Sequence, residues 1–392
     1  MGKNPNSVIF SLVLVLVSLI IFSLNIFWYK YRNLNSYNPN YYKNKYLNSQ
    51  WVISGSDNPI SDEELYSYAA YEYIKGVNPI LINPEVPPLG KYLIGLSIAV
   101  FNNQHAGNFI AGLISLVSIF VLVYLSTDSI ISGSLATFLT TVSTVFHEQL
   151  IHVPQLDIFQ LLFFVSFSVF FVAYQKNANF FYLIFSGIFF GFFISVKFFL
   201  FYFLLLDLTL VLFYLFRKSK INYFIKDLFF INFFGLVVYL LTYFRYFVLG
   251  GNFRGFLGVQ KWIWTFYSQS QIDMSRLWGN YLNLIFFNKW KFWSGDYPVY
   301  PYKYWTIVWP IFFVLGSLSL YPLLKKKDGK HNIKDLVRFL LAFLLVYNGF
   351  LFFTPIYPRY LLLLFIPLNI LLAIYFGRLI QNILVNIKFK IR

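Results

Sequence analysis

Residues 8–27, VIFSLVLVLVSLIIFSLNIF, form an apolar run without a charged side chain. About 20 such residues can cross roughly 30 Å of hydrocarbon as a helix. The run is long for a signal-peptide core and no small-residue cleavage site follows it, so we expect a retained first helix. Comparable runs of about 17 to 23 residues recur along the whole chain. They predict an integral membrane protein.

The overall composition supports this interpretation. Hydrophobic residues make up 58% and charged residues 12% of the chain, which leaves too little polar side chain to coat a soluble particle. In lipid only helices and closed barrels satisfy the backbone, and the unbroken Leu, Ile and Phe runs lack the alternation of barrel strands. We therefore predict an all-α, polytopic helical bundle that forms one membrane domain over residues 1–392.

The net charge of +16 does not indicate nucleic-acid binding, because the basic residues are interleaved with the apolar runs and do not form one stripe. They are better interpreted as topology signals. The chain has no cysteine, so neither disulfides nor thiolate chemistry are available.

We predict about ten transmembrane helices. The predicted spans are 8–27, 107–125, 130–146, 156–174, 180–196, 198–216, 228–249, 305–323, 336–353 and 360–377. With ten spans and cytoplasmic termini, the short basic segments at 217–226, 325–334 and 388–392 all fall on the cytoplasmic side. Residues 28–106 and 250–304 then become two large outer loops of a cell-membrane protein.

Two apolar segments have lengths that do not match a single transmembrane span. Residues 89–101 are about 13 residues long, which suits an interfacial or re-entrant helix in the first outer loop better than a span. Residues 180–216 would measure roughly 55 Å as one helix, too long for a bilayer. We therefore expect a tight outer hairpin near Lys197.

The first outer loop contains the densest acidic group of the chain, Asp62, Glu63 and Glu64, directly after Ser61. One interpretation is a helix N-cap followed by acids that the helix dipole favours. The other is a general base beside the membrane that accepts a proton from an acceptor hydroxyl.

A rigid motif follows in the same loop, Asn83-Pro84-Glu85-Val86-Pro87-Pro88-Leu89-Gly90-Lys91. Two prolines stiffen the chain, a glycine allows close backbone approach, and Lys91 supplies a cation at headgroup level. The same residues would also serve as a simple turn into an interfacial helix.

Together, the order Asp62-Glu63, Tyr66, Gly76 and Glu85 to Lys91 resembles the first outer loop of GT-C fold glycosyltransferases that use polyprenyl-phosphate sugars. Protein O-mannosyltransferases and lipid A aminoarabinose transferases are members. Val86 departs from both subgroups, which have His and Lys respectively at this position. The resemblance therefore leaves the subgroup open.

The resemblance implies roles for particular residues. Asp62, with Glu63 beside it, would be the catalytic base or acceptor-orienting acid, and Asp157 a second acid. The donor phosphate would be bound by Lys91, Lys197 and Arg359. Substrate contacts would come from Glu85, Tyr66, His152 and Trp293. If these assignments hold, Asp62, Asp157, Lys197 and Arg359 should converge on one outer cavity.

Other polar and aromatic features allow more than one interpretation. The 250–304 segment is rich in aromatic and basic residues, which form either an interfacial belt or a sugar-stacking surface. Asp207 lies in mid-span and needs a buried partner, such as Lys or Arg on a neighbouring helix. No cofactor is indicated. The set His147, His152, Glu148 and Asp157 is the only candidate for a divalent metal.

These features predict a hexosyl- or pentosyltransferase that acts on the outer face of the membrane. It would move a sugar from a polyprenyl phosphate to a hydroxyl of a protein, lipid or glycan, with inversion at the anomeric carbon. The expected partners are that donor, the acceptor and membrane lipids. A transporter or lipid flippase is an alternative, and so is a non-catalytic relative that binds a lipid-linked glycan.

Overall fold

A computed structural model describes residues 5–33, 36–152, 155–269, 272–325 and 331–390, and this part of the chain is predominantly helical. The α-helices are α1 (Pro5–Asn33), α2 (Pro39–Leu47), α3 (Asp62–Ile74), α4 (Leu89–Phe101), α5 (Ala106–Thr127), α6 (Ile130–Thr141), α7 (Thr144–His147), α8 (Asp157–Asn177), α9 (Phe180–Ile194), α10 (Phe199–Arg217), α11 (Ile221–Thr242), α12 (Phe244–Val248), α13 (Phe253–Ser268), α14 (Asn280–Phe287), α15 (Val308–Lys325), α16 (His331–Phe353) and α17 (Leu362–Lys390). Strands β1 (Trp290–Lys291) and β2 (Val299–Tyr300) form a small antiparallel pair, with Trp290 opposite Tyr300.

The predicted polytopic helical bundle is confirmed. Within the described ranges, 8 helices are long and apolar enough to cross a membrane, and these are α1, α5, α8, α10, α11, α15, α16 and α17. Helix α6 and the segment Thr144–Ile151, which are bent by 61° relative to each other, give a ninth candidate if they are counted as one span. The remaining predicted span corresponds to α9, which is apolar but has only 15 residues.

Several predicted boundaries differ from the structure: α17, for instance, extends to Lys390, whereas the predicted span ends at 377. Two further differences lie at α11 and at 147–155. Helix α11 begins seven residues before the predicted 228 because Asp227 lies inside it, buried, where it accepts hydrogen bonds from Tyr174 (2.6 Å) and Tyr214. These hydroxyls offset the cost of a buried carboxylate. The second difference lies at 147–155, predicted to be an outer turn, where the chain continues as a π-helix from Glu148 to His152.

The segments predicted to be outer loops contain more regular structure than the sequence indicated. Residues 89–101 form α4 as expected, and the break near Lys197 separates α9 from α10. Helices α2 and α3 precede α4 in the first loop, while α13 and α14 occupy the aromatic 250–304 segment. The predicted loops are therefore helical platforms at one end of the bundle.

The core is built around α8 and α17, the two most buried of the candidate spans, whereas α1 lies at the periphery. Helix α8 packs against α5 and α9, and α9 packs against α11. At Gly191 of α9, an added Cβ would lie 2.6 Å from the Gly235 carbonyl oxygen of α11. Small residues thus allow these two helices to approach closely, as is common in membrane bundles.

Candidate active site

The N-terminus of α3 places Asp62 at its first position. Ser61 is the N-cap and accepts from the Glu64 amide (3.3 Å), while the Ser61 amide donates to the Glu64 carboxylate (3.2 Å). This capping box satisfies the helix end with Glu64. The Asp62 carboxylate is consequently not needed as a cap and turns elsewhere.

Arg359 connects Asp62 to the core of the bundle. It lies in the 3-10 turn Pro358–Leu361 that leads into α17, and its Nη2 donates to Asp62 Oδ2 over 2.9 Å. Its Nε lies 3.6 Å from Asp157 Oδ2, at the start of α8. One planar guanidinium therefore bridges two carboxylates from separate parts of the chain, a geometry that suits arginine.

Lys197 completes the group from the break between α9 and α10. Its Nζ forms an ion pair and hydrogen bond with Asp157 Oδ1. Burial lowers the pKa of Lys197 to about 8, against the opposing effect of the Asp157 carboxylate. The ammonium therefore loses its charge at a lower pH than an ordinary lysine does.

These four residues, Asp62, Asp157, Lys197 and Arg359, form what we call the charged cluster. The side chain of Asp62 is 42% exposed, whereas those of Arg359 and Asp157 are 12% and 4% exposed. The cluster thus leads from solvent into the bundle, with the carboxylate of Asp62 at its mouth. The expected convergence of these four side chains is observed in their contacts, while their chemical roles stay predictions.

Aromatic rings enclose the cations of the charged cluster. The guanidinium carbon of Arg359 lies 4.2 Å from the Tyr357 ring centroid, and Lys197 Nζ lies 4.9 Å from that of Tyr360. Trp293, a predicted substrate contact, packs edge-on against Tyr357 at 4.6 Å. The 250–304 segment therefore contributes directly to the walls around the cluster.

Tyr66 and Glu85 are also placed near Asp62. Tyr66 follows Asp62 by one helical turn and is buried, and its pKa is raised by burial and by the nearby Asp62 carboxylate. Glu85 accepts from the Asn83 amide group, and burial raises the pKa of its carboxyl. The Glu85 Oε2 has no hydrogen-bond partner in the part of the chain that the structure describes. Both buried residues lie within electrostatic range of Asp62.

The structure places Lys91 differently from the sequence prediction. The side chain is fully buried, and its Nζ donates to Asn83 O (2.5 Å), Asn83 Oδ1 (3.1 Å) and Val86 O (2.7 Å). An ammonium has three donors, so all are in use. Lys91 thus holds the proline-rich turn together and has no donor left for a phosphate in this arrangement.

Other predicted residues lie outside the charged cluster. Glu63 pairs with the buried His105 (3.1 Å), which ties α3 to the start of α5. The side chain of His152 lies outside the described residues. Asp207 accepts from Asn232 of α11 (3.2 Å) and not from the expected Lys or Arg. Among the described side chains, no group of three or more His, Asp or Glu residues could hold a metal ion.

Several aromatic residues near the cluster received no individual role from the sequence. Tyr357 and Tyr360 flank Arg359 in the chain, so their neighbourhood was visible in the sequence. The proximity of Tyr267 to the cluster was not visible in the sequence, because Tyr267 is one of many aromatics in its segment. In the structure the Tyr267 ring stacks on Phe198, next to Lys197, at 4.6 Å. Only the packing of α13 over the break between α9 and α10 brings it there.

The bundle of spans, with helical outer platforms around a charged cluster, is the architecture of GT-C fold membrane proteins, and the comparisons with known proteins support the resemblance seen in the sequence. Residues 85–244 match the model of the dolichyl-phosphate-mannose-protein mannosyltransferase family. That range contains Glu85, Asp157 and Lys197.

The fold is similar to the crystal structure of ArnT from Cupriavidus metallidurans in the apo state, with a TM-score of 0.51 and 16% sequence identity. The match covers 81% of this chain, which spans 55% of the ArnT chain. A search of curated proteins found no significant match. Together the family model and the structural match support the GT-C membrane fold for this chain.

Proposed function

We propose that the protein transfers a sugar from a polyprenyl phosphate to a hydroxyl acceptor on the outer face of a membrane, with inversion at the anomeric carbon. The observation that carries this proposal is the bridge from Asp62 through Arg359 to Asp157 and Lys197. It combines a partly exposed carboxylate with two buried cations, which are the groups that such a transfer requires.

In the proposed reaction, the acceptor oxygen attacks the anomeric carbon and forms the new glycosidic bond. Its proton passes to the Asp62 carboxylate, and the bond from the anomeric carbon to the phosphate oxygen breaks. The electron pair leaves with the lipid phosphate. Arg359 and Lys197 stabilise the charge that develops on that leaving group. A single displacement of this kind inverts the anomeric configuration.

The charge balance of the cluster suggests how donor binding prepares the base. In the structure, two carboxylates neutralise two cations, and Arg359 is shared between Asp62 and Asp157. A bound phosphate would compete for the guanidinium, since arginine binds phosphate through two parallel hydrogen bonds. Asp62 would then lose its cation partner and be free to accept a hydrogen bond from the acceptor hydroxyl. The donor would thereby activate the residue that accepts the proton.

The position of the cluster also fits a lipid donor. Lys197 and Asp157 lie at the ends of apolar helices, so the prenyl chain would lie between spans while its phosphate reaches the two cations. Asp62 faces the exposed side, where a hydroxyl acceptor would approach. Protein, lipid and glycan acceptors all meet this requirement.

The test uses purified protein in proteoliposomes with polyprenyl phosphates that carry radiolabelled mannose or other sugars. We expect the label to leave one of these lipids and to appear on a hydroxyl-bearing acceptor. Polyprenyl phosphate should be the second product. If folded protein binds the lipids but releases no label from any of them in the presence of varied acceptors, the transfer proposal is wrong.

A further inference from the structure

Glu148 and Tyr302 form a second polar pair beside the charged cluster. Glu148 follows α7, which packs against the Pro358–Leu361 turn, and its side chain is buried. It lies within electrostatic range of Asp157 and Arg359. Tyr302 comes from the 250–304 segment, and burial and the neighbouring Glu148 carboxylate raise its pKa, while Arg359 acts in the opposite direction. The pair therefore lies within electrostatic range of Arg359 and close to the turn that carries it.

Several buried polar atoms around this pair have no hydrogen-bond partner. In the described ranges these include Gln160 Nε2, Glu148 Oε2 and the Tyr302 hydroxyl, the last two lying close enough to each other for each to shift the pKa of the other. Asp157 Oδ2 and Arg359 Nε also lack a hydrogen bond of normal length and meet only as an ion pair at 3.6 Å. Gln160 follows Asp157 by nearly one turn of α8 and is also buried. Buried polar groups are normally bonded, so a cluster of unbonded donors and acceptors indicates a place for a polar ligand.

We propose that Glu148 and Tyr302 bind hydroxyl groups of the donor's sugar ring, with Gln160 as a further contact. This inference rests on the proposed function and deepens it. A sugar hydroxyl can donate to the Glu148 carboxylate and accept from a phenol or an amide, which matches the unbonded atoms. A phosphodiester has no proton to donate to the Glu148 carboxyl, whose pKa burial raises to about 7, and a prenyl chain would leave these polar atoms unbonded. Since the sugar is joined directly to the phosphate, it must lie beside Arg359.

The experiment compares two lipids that differ only in the sugar, polyprenyl phosphate and polyprenyl-phosphate mannose, or the donor used by the wild-type protein. Dissociation constants are measured in detergent for the wild type, Glu148→Gln and Tyr302→Phe. We expect each variant to bind the sugar-bearing lipid about 10-fold more weakly, with no change for polyprenyl phosphate. Tyr302→Phe removes only a hydroxyl and serves if Glu148→Gln does not fold.

Two matched controls separate local effects from general ones. Asp207→Asn alters a partly buried carboxyl that bonds Asn232, and Tyr281→Phe removes the hydroxyl of a buried tyrosine that bonds Asn348 over 2.8 Å. Both controls should bind the two lipids as the wild type does. Equal loss of both lipids in the Glu148 and Tyr302 variants would show a structural role, and unchanged affinity for both would show no role. Either result overturns the inference.

Failure of this inference is distinguishable from failure of the proposed function. If wild-type protein binds polyprenyl phosphate and transfers sugar, but the Glu148 and Tyr302 variants keep the same preference for the sugar-bearing lipid, only the sugar contacts are wrong. If folded wild-type protein binds neither lipid, the donor itself is wrong, and the proposed function fails with it.

Discussion

Arg359 donates a 2.9 Å hydrogen bond to Asp62 although 297 residues separate them in the chain. The pair joins the start of α3 to the turn that leads into α17. Because Asp62 is 42% exposed, solvent screens the attraction, and such a pair contributes little to stability. The contact is better explained by the need to hold a carboxylate and a cation at one place.

Replacing Asp62 with Asn should abolish transfer while leaving donor binding intact. The amide keeps the size of the side chain but cannot accept the acceptor proton, and loss of a general base lowers kcat by about 10²- to 10⁴-fold. Initial rates with a labelled donor measure this effect. Asp57→Asn, in an exposed part of the same loop, is the matched control and should behave as the wild type. Normal transfer by Asp62→Asn would remove Asp62 from the reaction.

Replacing Arg359 with Lys should not preserve function despite the retained charge. Arg359 reaches Asp62 through Nη2 and Asp157 through Nε, and one ammonium cannot reproduce this fork. We expect at least about 10-fold weaker binding of polyprenyl phosphate together with a lower rate. Binding and initial-rate measurements on the same preparation test this. Arg276→Lys is a suitable control, because Arg276 is exposed, pairs with the nearby Asp273 and lies over the Tyr297 ring, outside the charged cluster. Full activity of Arg359→Lys would contradict a bidentate role.

Much of the fold was predictable, because a bilayer imposes a length on every apolar run. The break at Lys197 followed from a run too long for one helix, and it proved to separate α9 from α10. The start of α11 was not predictable in the same way. It depends on two tyrosine hydroxyls, from α8 and α10, that make Asp227 acceptable inside a helix. Such partners become visible only when the helices are packed.

The members of the candidate site were predictable where a charged residue lies within a recognisable sequence motif. Asp62, Asp157, Lys197 and Arg359 were chosen from four separate segments and meet in the structure. Lys91 shows the limit of this approach. Its position after the proline pair suggested a headgroup cation, but the backbone carbonyls of the turn itself surround it. Sequence spacing indicates which residues share a loop, not which way a long side chain folds.

Replacing Lys91 with Met should destabilise the protein without removing the phosphate site. The change leaves the Asn83 and Val86 carbonyl oxygens without their buried donor, at a cost of about 1–3 kcal/mol for each unsatisfied group. Thermal unfolding in detergent measures the loss. Polyprenyl phosphate should still bind to the folded fraction with wild-type affinity. The control is Lys75→Met at the exposed end of α3, which should not change the melting temperature. Lost lipid binding with unchanged stability would restore the phosphate role of Lys91.

The pH dependence of transfer should report the charge of Lys197. Burial lowers the pKa of this ammonium to about 8, so the charged fraction falls as the pH rises through that value. If the charge stabilises the leaving phosphate, kcat/KM should decline above about pH 8. The decline of kcat should lie at higher pH, since a bound phosphate favours the charged form. Lys197→Arg should remove the alkaline decline, because arginine stays protonated throughout this range. The exposed control Lys75→Arg should keep it. A decline near pH 8 that persists in Lys197→Arg would assign the titration to another group.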